Sequence, residues 1–222
     1  SRCAESARIV SSMKEYSAAS GSLFLMLSSS SAGISATNFL KLAIGRNDYL
    51  VPHINDGDRE PSWDGDIEVY RKPGNVHSKG DLVLKVPIQV KGHAVPQLPR
   101  KNTISYSIET SDLRNYLNAG GTMFFVVYVD ETGNNHQIYY ASLLPFELKQ
   151  TLDKYGEQKK RNMPLSAFPQ DKKSIANVLL NCARDMKKQR PAITADIVTY
   201  DSLIQTGNVP KLSFGYAQVP AE

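Results

Sequence analysis

The chain has 222 residues, of which 41% are apolar and 22% charged, with a formal net charge of +4. That balance belongs to a folded globular protein and excludes a disordered, collagen-like or coiled-coil chain. An isoelectric point near 8.9 permits a polyanionic partner without pointing to one.

The length suits one core with additions: a peripheral segment over 1–32, a core over 33–150 and a mainly helical C-terminal extension over 151–222. Residues 1–32 are rich in serine and alanine around the run "LFLML", far below the about 20 apolar residues a membrane span needs. No signal peptide precedes that run, so no membrane role is expected. Two cysteines, Cys3 and Cys182, make neither a disulfide framework nor a zinc-ligand spacing, and a reducing, cytoplasmic compartment fits them. The chain opens on Ser1 and stops in "FGYAQVPAE", as a piece of a longer protein would.

"SATNFLKLAIGRND" predicts a short amphipathic helix, with Ser35 as N-cap and Phe39, Leu40, Ala43 and Ile44 at helical spacing before Gly45. "YLVPHI" predicts a strand, with Pro52 suited to an edge or strand end. In "SWDGDIEVY" the period of two places Trp63, Gly65, Ile67 and Val69 on one face and Asp64, Asp66, Glu68 and Tyr70 on the other. After the connection "RKPGNVHSKGD", "LVLKVPIQVK" carries Val86, Ile88 and Val90 on one face and Lys85, Pro87, Gln89 and Lys91 on the other, so the two strands predict a hairpin. "TISYSI" predicts a further strand, and Thr110 or Ser111 caps a helix through "DLRNYL" that Gly120 and Gly121 end.

"TMFFVVYV" is an uninterrupted apolar run of strand length and predicts the centre of the sheet. The turn "DETGNN" leads to the strand "HQIYYAS", and Pro145 suits the first turn of a helix through "PFELKQTLDKY". A last helix over 171–190 combines an acidic cap, an apolar stripe from Ile175 to Met186 and a cationic final turn. "KKR" at 159–161 and "KKQR" at 187–190 read as solvated helix ends.

Hydrolysis of a phosphodiester needs oxygen ligands for a hard cation and a cation near the attacked phosphate. Asp64 at the start of one strand, the Gln89 side-chain oxygen and the Val90 backbone carbonyl on the next could hold Mg²⁺ or Mn²⁺. Lys91, two residues after Gln89 and therefore on the same face, could orient or activate water. Asp66 and Glu68 are secondary candidates, since a solvated strand face paired with basic neighbours such as Lys85 explains them better than a cluster of metal ligands. His53, His77, His93 and His136 have no ligand spacing, and His93 reads as a surface histidine at a strand end. Arg71, Lys72, Lys79, Arg100 and Lys101 flank the motif strands and could follow a phosphate backbone.

"SWDGDIEVY" followed by "VPIQVKGH" resembles the Asp…(Asp/Glu/Gln)-x-Lys signature of the restriction-endonuclease-like PD-(D/E)XK superfamily, nearest its Mrr-like branch. The helix, strands, helix, strand order over 33–150 matches that α/β core, and "MPLSAFPQDK" and "DMKKQ" resemble the tail of those relatives. The resemblance implies a central mixed sheet flanked by helices, with Asp64, Gln89 and Lys91 catalytic and Asp66 the substitute acid. It implies a Mg²⁺-dependent DNA endonuclease, on double-stranded DNA, in bacterial restriction or anti-phage defence, as a homo-oligomer or within a larger multidomain or multiprotein system. Gln89 stands where many members have Asp or Glu, which leaves a second reading: a catalytically silent module of the same fold that binds nucleic acid or a partner protein.

Overall fold

The computed structural model describes residues 36–55, 63–193 and 204–205. The peripheral segment 1–32 and the Ser35 cap lie outside these. The elements in chain order are helix α1 (36–45), strands β1 (Leu50–Ile54), β2 (Gly65–Tyr70), β3 (Leu82–Val95) and β4 (Thr103–Glu109), helix α2 (Thr110–Asn118), strands β5 (Thr122–Asp130) and β6 (His136–Leu143), helix α3 (Pro145–Tyr155), strand β7 (Lys160–Ala167) and helix α4 (Lys172–Gln189).

The strands form one mixed seven-stranded sheet in the order β1-β2-β3-β5-β6-β7-β4. β3 and β5 run parallel, and every other pair is antiparallel. A parallel neighbour requires a long crossover; here β4 and α2 supply it. β5 is buried on both faces, as its unbroken apolar run dictates.

Pro87 stands inside a strand that has neighbours on both sides, where proline ordinarily costs a ladder bond. Alternate residues of β3 address opposite neighbours. Ile88 accepts from β2's side, so Pro87 addresses β5, whose register with β3 begins only at Ile88 opposite Met123. The missing N–H therefore falls just before the ladder. Its carbonyl is used instead, accepting from the buried Thr122 hydroxyl at 2.9 Å.

Two apolar clusters cover the two faces. On one, α1 (Leu40, Ile44) and α4 (Ile175, Leu179, Ala183, Met186) pack on Ile67, Val86, Ile88, Val90, Phe125 and Val127. On the other, α2 and α3 pack Leu113, Tyr116 and Leu148 on Phe124, Val126, Tyr139 and Leu165. β4 is hydrogen-bonded only to β7, four places away from β3 in the sheet, yet its Tyr106 ring lies 5.7 Å from His93 of β3 and 5.6 Å from Phe124 of β5. The sheet therefore curls, bringing β4 back over the second cluster.

Three sequence expectations change. Residues 151–222 are not an extension set apart from the core: they open inside α3, β7 completes the sheet and α4 supplies much of the first cluster. Lys160 and Arg161 open β7 rather than ending a helix. Thr110 does not cap α2, whose N-cap is Glu109; its hydroxyl donates to the Gln158 carbonyl at 2.6 Å and ties the helix start to the α3–β7 connection.

Candidate active site

Gly65 opens β2 with φ 138°, in the region L side chains avoid, and a Cβ there would lie 2.0 Å from the His53 carbonyl oxygen. Only glycine fits. The chain reverses its facing at this residue, so Trp63 packs on the second cluster while Ile67 and Val69 enter the first. The predicted single face carrying Trp63 with Ile67 and Val69 is corrected on that account.

The ladder between β2 and β3 continues one step past Gly65, the Asp64 N–H donating to the Ile88 carbonyl at 3.0 Å. The Asp64 side chain then takes over: Oδ2 accepts from the Val90 N–H at 2.6 Å and from Gln89 Nε2 at 2.5 Å. In an antiparallel pair the N–H and C=O of one residue point to the same neighbour, so the Val90 carbonyl shares this gap, where it accepts from Gln89 Nε2 at 3.5 Å. Gln89 is 3% exposed and its Oε1 is buried without a hydrogen-bond partner among the described residues. Asp64, Gln89 and Val90 thus meet at the β2–β3 junction.

Lys91 follows on the Gln89 face of β3 and is exposed. Two residues on, His93 is half-buried rather than a surface residue: Nε2 lies 3.1 Å from the Tyr106 hydroxyl and the ring stacks on Tyr128 at 5.5 Å. Burial, and secondarily the Lys91 charge, hold its pKa below the ordinary histidine value.

Glu68 is committed elsewhere. Its carboxylate takes Lys85 at 2.9 Å, the Tyr70 hydroxyl at 2.7 Å and His53 at 3.3 Å. These partners, the Lys85 hydrogen bond foremost, pull its pKa down to about 2. Asp66 is different, with Oδ1 buried and unpartnered among the described residues.

The basic candidates divide by position. Arg71, Lys72 and Lys79 sit past the far end of β2, roughly 20 Å from Asp64 at about 3.3 Å per residue, and Lys72 pairs with Asp81 at 3.4 Å. Arg100 and Lys101 follow the end of β3 beyond Lys91, in a loop anchored by the Tyr139 hydroxyl donating to the Lys101 carbonyl at 2.7 Å.

The sequence reading gave no site role to Trp63, Tyr116 or Asp112. Trp63 meets Tyr116 of α2 edge to face at 6.2 Å. Burial, and after it the carboxylates of Asp112 and Asp64, push the Tyr116 hydroxyl pKa up. Asp112 and Tyr116 are four apart on one helix and share a face, a signal that the "DLRNYL" helix already carried.

Among the described residues no group of three His, Cys, Asp or Glu side chains is placed to hold a metal. A cation here would rest on one carboxylate, Asp64, with two neutral oxygens, Gln89 Oε1 and the Val90 carbonyl. That all-oxygen set suits a hard cation such as Mg²⁺ or Mn²⁺. Gln89 now turns Nε2 to the Asp64 carboxylate and the Val90 carbonyl, so its buried, unpartnered Oε1 would join the set only with the amide turned over.

No helix among the described residues is long and apolar enough to cross a membrane. Comparison of the chain with protein-family models, with curated proteins and with solved structures returns no match in any of the three.

Proposed function

We propose that this chain is a metal-dependent endonuclease of the restriction-endonuclease-like type that hydrolyses phosphodiester bonds in DNA. The observation that carries the reading is the meeting of the Asp64 carboxylate, the buried Gln89 amide and the Val90 carbonyl at the β2–β3 junction, followed on the same face by the exposed Lys91. Supporting it is the order of elements, α1 then β1 to β3 and, after α2, the parallel partner β5. With β4 set aside, that order is compatible with the one the resemblance implies. Bound Mg²⁺ or Mn²⁺ supplies a water of lowered pKa and neutralises charge on the attacked phosphate.

The chain's own groups do the rest. Asp64 anchors the β2 end to β3 and holds the Gln89 amide in one orientation. Lys91 offers three N–H donors to a phosphate oxygen or to the attacking water. Arg100 and Lys101, on the same end of β3, suit the flanking phosphates. By the family resemblance the setting is cytoplasmic restriction or anti-phage defence, as a homo-oligomer or inside a larger system.

One observation favours the silent-module reading: Asp64 Oδ2 is already satisfied by two protein donors. The test is relaxation of supercoiled plasmid in Mg²⁺ or Mn²⁺ by wild type, Lys91→Ala and Asp64→Ala from matched preparations. Cutting by the wild type and loss in both variants supports the nuclease. Cutting by well-folded Lys91→Ala at wild-type rate overturns the catalytic assignment, and calorimetry without Mg²⁺ or Mn²⁺ uptake favours the silent module.

A further inference from the structure

β3 carries Gln89, Lys91 and His93 in succession on one face, and only the first two belong to the constellation described above. The His93 ring meets Tyr106 of β4, centre to centre at 5.7 Å, and Tyr128 of β5 at 5.5 Å. Tyr128 in turn meets Tyr139 edge to face at 6.0 Å, and the Tyr139 hydroxyl anchors the loop of Arg100 and Lys101. A continuous run of packed rings thus links the strand that carries Lys91 to the basic loop.

The His93 and Tyr106 pair cannot satisfy itself. Nε2 and the hydroxyl oxygen lie 3.1 Å apart. A neutral imidazole has one N–H and a phenol one O–H. The bond between them uses one of these, whichever tautomer is present, and the other is left to donate elsewhere. No acceptor takes it up among the described residues. Both side chains are only partly buried, so the spare donor is open to a ligand.

We propose that His93 and Tyr106 together hold the phosphate next to the one that Lys91 engages, so that Lys91, the pair and the Arg100 and Lys101 loop form one track for the substrate backbone. His93 stands two residues beyond Lys91, about 6.6 Å at 3.3 Å per residue, close to the step from one phosphate to the next along a strand. A phosphate oxygen only accepts, and what the pair has to spare is a donor. The groups set against His93 are Lys91 on its own strand, Tyr106 on β4 and Tyr128 on β5. Burial raises both phenols, so neither is an anion near neutral pH. Burial, and then the Lys91 charge, keep the imidazole neutral in the free chain. A phosphate reverses that electrostatic balance and draws a proton onto His93, which adds a second spare donor and a charge.

This inference rests on the nuclease reading and names how its site grips the strand. The test is fluorescence anisotropy of the full chain on a short labelled duplex in Ca²⁺, over a salt series at about pH 8 and about pH 5.5. Acidification steepens the wild-type slope of log K against log salt by about 0.9 more than that of His93→Gln, as one further neutralised phosphate requires. His53, His77 and His136 titrate in both proteins, so the difference belongs to His93. His93→Phe with Tyr106→Phe keeps both rings, removes every donor of the pair, and binds about tenfold more weakly at pH 8. Equal steepening in wild type and folded His93→Gln, unchanged affinity in the folded double variant, or no binding of duplex at all overturns the proposal. Mg²⁺ cleavage of the same duplex by wild type and Lys91→Ala is read in parallel. Binding linked to His93 without cleavage defeats the nuclease and spares the track; Lys91-dependent cleavage with binding indifferent to His93 does the reverse.

Discussion

Gln89 donates through Nε2 to Asp64 Oδ2 at 2.5 Å, while its own Oε1 stays buried and unpartnered among the described residues. The carboxylate fixes which end of the amide faces it, since two oxygens at that distance would repel. A neutral amide thus lets the β2–β3 junction close without a cation, whereas a second carboxylate would demand one.

Gln89→Glu therefore converts the junction into a cation-dependent one. Two carboxylates in contact raise one pKa and destabilise the folded state by about 1–3 kcal/mol at pH 7. The loss shrinks near pH 5, where one carboxyl takes a proton, and reverses when Mg²⁺ binds only the folded form. Thermal unfolding of wild type and Gln89→Glu with and without Mg²⁺, at both pH values, checks this. A melting point indifferent to Mg²⁺ in the variant would refute a cation site here.

Gly65→Ala tests whether the turn into β2 positions Asp64. The substitution combines a backbone at φ 138° with a Cβ 2.0 Å from the His53 carbonyl, so β1 and β2 must separate. The cost is at least about 2–3 kcal/mol. Urea unfolding reads it, and cleavage falls with it because Asp64 moves with the strand end. Full stability in the variant would show that the turn relaxes freely.

How much of this was legible follows the periodicities. α1, the β2–β3 hairpin, β5, β6, α3 and α4 each carry an unbroken pattern; strand spacing puts Gln89 and Lys91 on one face, while the choice of Asp64 over Asp66 comes from the family resemblance. Trp63 was misplaced because alternation holds only while φ stays negative, and Gly65 breaks it. β7 was missed because Pro164 and the preceding basic run hide the alternation of Met163, Leu165 and Ala167. Proline is tolerated there because β6 pairs with β7 only at Ala167 and Ser166. The meeting of Trp63 with Tyr116 depends on α2 packing against the sheet, which no local pattern encodes.

The Glu68 cluster predicts the acid limb of stability. Glu68 is held at about 2, below its ordinary value near 4.5, mainly by the Lys85 hydrogen bond. A carboxylate depressed in the folded state stabilises above its unfolded pKa, and that contribution fades as pH falls from about 4.5 towards 2. Glu68→Gln lowers stability at pH 7 and flattens the decline between pH 5 and 2.5. Urea midpoints across that range read both changes; a parallel acid limb in the variant would assign the loss to other groups.

The last prediction concerns the boundary at 150. A chain cut there loses β7, the hydrogen-bonding partner of β4, and α4, whose Ile175, Leu179, Ala183 and Met186 cover the sheet behind Val86, Ile88 and Val90. Those three residues form the reverse face of the strand that carries Gln89 and Lys91, so uncovering them exposes the core directly beneath the site. Leu179→Ala alone, at a fully buried position, costs about 2–5 kcal/mol. The truncated chain is expected to lack a cooperative thermal transition and to cut no plasmid. A truncation at 150 that melts cooperatively and binds metal would show that β7 and α4 are additions to a self-sufficient core.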